Sequence, residues 1–371
     1  MKIEAITIEG FKSVADLTLD FPGSFVSLAG SNGAGKSNIT DAIAFLGGVV
    51  KRGASQAIRD AGGFHQIHCF KYRKEKRTTI RFAVKLTIDG ELFDYGLKIT
   101  DIDKIPVIQE YLYVDGVEII RRPANSITKV RLGSSADFQE FSEYPQDMTA
   151  LMLFGHSPLY QFLINIKVFR IDPVAAKRPN ISTEDATELH FQGQNVATIL
   201  SVLEKKDDFR AQILEWIELI VPGVRGISTE KQRLDGTTVI TFKEEGLKAQ
   251  LPARLISDGT IYAICIMTAL LSRSSQLGLT IIEEPERGVH PKAIGELVSF
   301  MRDNASPEHP VFVTTHSESI VRNLNLEELW LVEKKEGKTL AKSVAQSKVD
   351  KNKIPLDTAW LTNLLNGGLP W

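Results

Sequence analysis

The segment Gly30-Ser-Asn-Gly-Ala-Gly35-Lys36-Ser37 constrains this chain more than any other. It matches G-x-x-x-x-G-K-[ST], the spacing of a phosphate-binding loop. Glycines at these places let successive backbone N–H groups turn inward around phosphate oxygens. Lys36 can then reach the β- and γ-phosphates, and Ser37 can put a hydroxyl on Mg2+. The N-terminus of the next helix adds its dipole. The flanks agree. Ser24–Ala29 reads as a buried strand, and Ile39, Ala42, Ile43 and Leu46 recur at helical spacing. A chance glycine-rich turn has no reason to carry the lysine, the serine and both flanking elements together.

The rest of the chain has the same α/β character. Residues 3–9 and 16–21 alternate like half-buried strands. The helix after the phosphate loop is expected to stop at Gly47–Gly48. Residues 78–120 read as a strand meander, with hairpin turns at Asp89–Gly90 and Asp115–Gly116. Helical spacing returns over 194–204 and 208–221, closed by Pro222–Gly223. Beyond it lie a strand (237–243), a helix (260–272), the apolar strand Leu279–Ile282, a helix (291–304) and the apolar strand Val311–Thr314. A hairpin turned at Glu336–Gly337 and a last helix over about 357–365 complete the pattern. Three units are expected: 1–130 with the phosphate loop and an antiparallel β subdomain, 131–222 as a mainly helical insertion, and 223–371.

The apolar strand Leu279–Ile282 ends in Glu283-Glu284-Pro285-Glu286. Open parallel sheets place their sites at the carboxyl ends of strands. One carboxylate there can order Mg2+, and the next can polarise water for attack on a γ-phosphate. Glu283 is assigned to the metal beside Ser37, and Glu284 to the general base. Glu283 is one methylene longer than the aspartate usual there, which points to contact through water. The expected cofactors are a nucleoside triphosphate and Mg2+.

Composition narrows the partners. With 44 basic and 46 acidic residues the formal charge is −2, so any DNA contact must come from a local patch. Two cysteines cannot make a disulfide framework, and the opening MKIEAITIEGF reads as a strand rather than a signal peptide. No apolar run approaches the roughly 20 residues that span a bilayer. The expectation is a soluble, cytoplasmic chain with no membrane contact.

In chain order, the phosphate loop, Ser257-Asp-Gly259, Glu283-Glu-Pro-Glu286 with His290-Pro291, and Thr315-His316-Ser317 form a set. This set resembles the ABC-type head ATPases of the RecF/SMC/OLD group, and in particular the short RecF-like ATPases of the AAA_21 type. Ile8-Glu-Gly-Phe-Lys12-Ser13 and the closing LLNGGLPW are similar to that group as well. The resemblance implies an ABC-type P-loop ATPase head. Its nucleotide cradle would be Gly30, Ser31, Asn32, Gly33, Ala34, Gly35, Lys36, Ser37 and Asn38, with Lys12 from the N-terminal motif. Ser257 and Gly259 would be the signature element, which caps a γ-phosphate held by a second subunit. ATP sites would then form only in a homodimer or higher oligomer. His316 would be the switch histidine, acting with Glu284 and Lys36, and Pro285–His290 the dimer-contact loop. Asp258 departs from the family's signature. For the glutamine that normally faces Mg2+, Gln66 is the candidate, with Gln56 nearly as good. The stretch between Lys36 and Glu283 is too short for SMC arms, and the stretch after His316 too short for a TOPRIM nuclease.

Two roles follow from the resemblance. One is DNA binding in repair or DNA-directed defence, with a DNA contact at the basic run Lys71–Arg77 and Tyr72 available to stack. The other is a regulatory ATPase that holds a separate effector protein, a nuclease or a toxin. A membrane transporter head fits less well, since such heads lack the Phe-Lys-Ser opening and the Glu-Glu-Pro-Glu form. His65-x-x-His68-Cys69 is an incomplete metal pattern. The basic run has a plainer reading as a solvated strand end, and the apolar residues of 131–222 as a satellite core.

Overall fold

The computed structural model describes the 371-residue chain apart from residues 22, 74–77, 103–104, 125, 134–136, 182–186, 222, 352 and 369–371. Pro222, the last four residues of the basic run Lys71–Arg77 and the last three of the closing motif therefore lie outside the described residues. In chain order, β1 (Lys2–Phe11), β2 (Val14–Leu19) and β3 (Phe25–Ala29) lead into α1 (Lys36–Arg52). The short helices α2 (Ala54–Asp60), α3 (Phe64–Ile67) and α4 (Phe70–Arg73) follow. β4 (Thr79–Ile88), β5 (Glu91–Ile102), β6 (Ile105–Val114), β7 (Val117–Arg122), β8 (Thr128–Val130) and β9 (Gln139–Phe141) form the meander. Next come α5 (Pro158–Ile164), β10 (Ile166–Phe169), α6 (Pro173–Ala176), β11 (Asn180–Ile181), α7 (Val196–Leu203) and α8 (Asp207–Ile220). The last part holds β12 (Val224–Lys231), β13 (Thr237–Glu244), β14 (Leu251–Pro252), α9 (Asp258–Arg273), β15 (Leu279–Glu283) and α10 (Pro291–Asp303). It ends with β16 (Val311–Thr315), α11 (Glu318–Arg322), β17 (Leu329–Lys335), β18 (Lys338–Ser343) and α12 (Leu356–Leu361).

The central sheet runs β10-β15-β16-β3-β17-β18 and is parallel up to its closing hairpin. Side chains alternate across a strand, so each apolar strand feeds two cores. Val26, Leu28, Ile281, Phe312 and Trp330 face one core, shared with α1, α5 and the antiparallel sheet. Phe25, Ala29, Ile282, Val313 and Leu331 face the other, shared with α7 to α11. The antiparallel sheet, β2-β1-β4-β5-β6-β7-β8-β9, has its hairpin turns at Asp89–Gly90 and Asp115–Gly116. Both aspartates take positive φ, 52° and 48°, as such two-residue turns require. A small sheet of β11, β13, β12 and β14 covers the far side of α7.

Three details differ from the sequence expectation. α1 does not stop at Gly47–Gly48 but continues to Arg52 and ends at Gly53, where φ is 82°. Gly47 is there for packing: a Cβ on it would lie 2.5 Å from the Leu163 carbonyl oxygen of α5. The last helix ends at Leu361, because Asn363 and Asn366 turn the chain with positive φ. Residues 131–222, expected to be mainly helical, also supply β10, which pairs in parallel with β15, Phe169 opposite Ile282.

Alanine is the better helix former, so it separates the two glycines of α1. Gly48→Ala meets only the flexible tip of Arg52 and is expected to stabilise by about 0.5–1 kcal/mol. Gly47→Ala is expected to cost about 1–3 kcal/mol, since a backbone carbonyl stands in the way. Urea denaturation of the two variants checks the opposite signs.

Candidate nucleotide site

The parallel strands bring their carboxyl ends to one edge of the central sheet, where the phosphate loop, Glu283–Glu286 and Thr315–Ser317 meet. At the end of β3 the loop turns into α1 through Gly33 and Gly35, with φ of 78° and 103°. Gly35 sits at the N-cap with no side chain capping the helix, so the first-turn N–H groups point to the loop's hollow. A Cβ on Gly35 would lie 1.9 Å from Thr339 Oγ1 and one on Gly30 2.2 Å from the Val332 carbonyl, so β17 and β18 hold the loop from behind. Ser13 and Thr339 share a hydroxyl hydrogen bond (2.6 Å), and Asn38 donates to Ser13 (2.6 Å). Lys36 is folded back, its Nζ donating to the carbonyls of Gly30 (2.7 Å) and Ser31 (3.0 Å). Burial lowers its pKa, against Glu284, Glu286 and Glu283, which raise it.

An acidic group stands beside the loop. Glu283, the last residue of β15, is buried. Its Oε2 accepts from Ser37 Oγ (3.2 Å) and its Oε1 from Thr40 Oγ1 (2.6 Å). Arg170, one residue past β10, donates Nε to Oε2 (2.7 Å) and Nη2 to Oε1 (2.7 Å). The same Nη2 donates to Asp41 (2.5 Å), whose other oxygen accepts from Lys12 Nζ (2.5 Å). Two cations and two carboxylates thus close a neutral network. Hydrogen bonds donated to Glu283 hold the Arg170 guanidinium firmly in its charged form. A hydroxyl and a carboxylate, Ser37 and Glu283, are the hard oxygen donors that suit Mg2+.

Glu284 leaves the strand in the left-handed region, φ 51°, at a cost of about 1–3 kcal/mol for a non-glycine residue. It is held there by its N–H to the Thr314 carbonyl (2.9 Å) and by the buried Tyr262 hydroxyl on its own carbonyl (3.0 Å). The turn aims the side chain outward, where Oε1 lies 3.3 Å from His316 Nδ1. Both groups are part-exposed. Glu286 turns inward instead and accepts from Thr315 Oγ1 (2.7 Å) and the His316 N–H (3.3 Å). Its other oxygen is buried without a hydrogen-bond partner. Burial pushes this carboxyl up from its ordinary value.

Ser257 caps α9, accepting the Thr260 N–H (3.3 Å). Gly259 is pressed against the loop after β15, where a Cβ would lie 1.9 Å from the Gly288 carbonyl. Asp258 pairs with Lys177. The cleft bounded by Ser257, Gly259 and His290 shares no residue with the cleft along Ser31–Ala34.

The sequence assignments do not all meet here. Gln56 is spent on the outer face of α2, donating to Asp60 (2.6 Å) and accepting from Arg59 (2.7 Å). Gln66 is exposed on α3, and the side chain that reaches Glu283 from the neighbouring strand is Arg170. Sequence reasoning missed Arg170, Thr40, Asp41 and Tyr262. Thr40 and Asp41 follow Ser37 at helical spacing, a signal that was readable. Tyr72 is not offered to a base: its hydroxyl donates to the Ala15 carbonyl (2.8 Å) and its ring covers Gly10. Lys71 lies 3.9 Å from Glu336. Among the described residues no His/Cys/Asp/Glu group is arranged to hold a metal ion by itself, so the His65–Cys69 pattern is not such a group. No helix among them is long and apolar enough to cross a membrane.

A family model described as AAA_21, "AAA domain, putative AbiEii toxin, Type IV TA system", matches residues 25–322. The chain belongs to this family. It is a P-loop ATPase with the fold of an ABC-type head. A solved Smc head bound to the C-winged helix domain of ScpA shares the fold with a TM-score of 0.60 and 15% identity, over 94% of this chain and 99% of that one. An Smc head with an extended coiled coil, bound to the C-terminal domain of Pyrococcus furiosus ScpA, gives 0.55 and 14%, over 93% and 97%. The chromosome partition protein Smc of Fusobacterium nucleatum is 30% identical over 147 residues, 37% of this chain and 12% of that protein. Smc of Mesomycoplasma hyorhinis is 53% identical over 47 residues, 12% of this chain and 5% of its own length. The ATPase thus spans a small fraction of these curated relatives.

The pKa shift of Glu286 gives a test of its burial. A carboxyl raised in the folded state contributes most favourably below its ordinary pKa, and that contribution is lost as pH rises through the folded value. Glu286→Gln removes the buried charge. It is expected to raise Tm at about pH 7 and to converge on the wild type near about pH 4, where the carboxyl is protonated anyway. Thermal unfolding at both pH values checks this, and an equal offset at both would refute it.

Proposed function

We propose that this ATPase is a two-state clamp whose heads close as a two-fold pair over two ATP molecules and reopen on hydrolysis. The observation that carries the reading is the division of labour at the end of β15. Glu283 is buried on Ser37, while Glu284 is turned out toward His316. In this reading Lys36 leaves the loop carbonyls for the β- and γ-phosphates, and the N–H groups of Gly33 to Ser37 cradle them. Ser37 and Glu283 hold Mg2+, which supplies charge neutralisation to the phosphates. Glu284 accepts the proton of the attacking water, and His316 keeps that carboxylate oriented and meets the γ-phosphate. The separate clefts at Ser31–Ala34 and at Ser257–Gly259 support a site completed by a second copy, the cap of α9 facing the partner's phosphates. Differential affinity of the open and closed pairs for ATP then drives the switch.

Two outputs fit the clamp. DNA repair or DNA-directed defence is the first, supported by the match to Smc proteins over the head motifs. The family description, with its toxin and toxin–antitoxin terms, supports the second, a regulatory ATPase that holds an effector protein. The solved Smc heads, which are bound to ScpA domains, lend support to a protein partner in this reading.

Lys36→Ala is expected to lose ATP binding. Glu284→Gln is expected to bind ATP, to turn over at least about a hundredfold more slowly, and to accumulate as a dimer. Fluorescent-nucleotide titration and light scattering with ATP and Mg2+ check both; wild-type turnover in Glu284→Gln would remove Glu284 as the base. Tagged Glu284→Gln, purified with ATP from its host, then separates the outputs. Nuclease-sensitive DNA supports the first, and a stoichiometric protein partner the second.

A further inference from the structure

A carboxylate offers about four lone-pair directions. On Glu283 all four are taken: Thr40 and Arg170 Nη2 on Oε1, Ser37 and Arg170 Nε on Oε2. Arg170 supplies two of those donors and a full positive charge. It is steadied by Asp41 and by the Phe191 ring, 5.4 Å from the guanidinium carbon. An arginine does not lose its proton, so it can vacate Glu283 only by moving. Its side chain is 35% exposed, which leaves a solvent side to move toward.

We propose that Arg170 is a positioning residue that stands in for the divalent metal on Glu283 while the phosphate loop is empty, so that metal enters with nucleotide and not before it. Arriving phosphate oxygens give the fork a second set of acceptors. Ser37 and Glu283 are then released to the metal, and Asp41 keeps Lys12. Arg170 thereby couples two binding events that would otherwise be independent. The inference rests on the nucleotide reading of the phosphate loop.

The test uses Mn2+ as the probe, followed by electron paramagnetic resonance, with and without a non-hydrolysable ATP analogue. The wild type is expected to bind Mn2+ weakly alone and tightly with the analogue. Arg170→Met is expected to bind Mn2+ alone about tenfold or more tightly than the wild type. The double variant Arg170→Met/Glu283→Gln is expected to lose that gain. Equal nucleotide-free affinity in folded Arg170→Met and wild type overturns the proposal, as does a gain that survives in the double variant. If Arg170→Met does not fold, Arg170→Lys takes its place, keeping a cation but not the fork. Tighter nucleotide-free Mn2+ binding than wild type then supports the proposal, and equality overturns it. Failure of the underlying reading looks different: the wild type would not bind the analogue at all.

Discussion

The buried carboxyl group of Glu283 is the point on which the rest of the structure converges. A buried charge is costly unless it is paired and hydrogen-bonded. Here the pairing groups come from different parts of the chain. Ser37 and Thr40 reach it from α1, Arg170 from the end of β10, and Lys12 joins through Asp41 from the end of β1. The phosphate-loop helix, the antiparallel sheet and the C-terminal strands are therefore locked in register by one polar knot. Partial disassembly would leave an unpaired charge behind, which is a stronger penalty than the loss of any single hydrogen bond.

The knot sits where it does because the central strands are apolar on both faces. β3, β15 and β16 are buried throughout, and their charged chemistry stands at the carboxyl end, where Glu283 closes β15. α9 extends the same logic. It is buried along nearly its whole length, so what it leaves open to other chemistry is its N-terminal cap at Ser257. Gly259 allows that cap to touch the Gly288 carbonyl, and Tyr262, one turn on, bonds the carbonyls of Glu283 and Glu284. The Ser257–Gly259 segment and the acidic strand end are thus joined by direct contacts onto backbone carbonyls.

Much of this was legible in the sequence where local chemistry decides the structure. The phosphate loop needs its glycines, lysine and serine at fixed spacing, and the Asp-Gly turns need positive φ. Strand ends with paired carboxylates are readable because an apolar run stops abruptly at charge. Arg170 was not legible. The run Ile166–Phe169 is short and interrupted by Lys167, and its place beside β15 is set by tertiary pairing that no local pattern encodes. Gly47–Gly48 misled for the opposite reason. Glycine is a sound helix stop by propensity, but close packing against the Leu163 carbonyl overrides it. The place beside Glu283 was not legible by residue type either: an arginine fills it, while Gln66 lies exposed on α3.

The charges around the loop also constrain how a nucleotide can be accepted. Lys12 and Arg170 are already balanced by Asp41 and Glu283. Lys36 faces Glu284 and Glu286 as well as Glu283, so the loop has no surplus of positive charge to offer a triphosphate. Backbone N–H groups and the α1 dipole contribute only partial charges. Binding a polyanion beside three carboxylates therefore requires added positive charge, and the neutral network must rearrange to receive it. An arginine on Glu283 meets that requirement economically. It keeps the acidic group paired, and in the proposed exchange it would be a cation of the right sign for arriving phosphate.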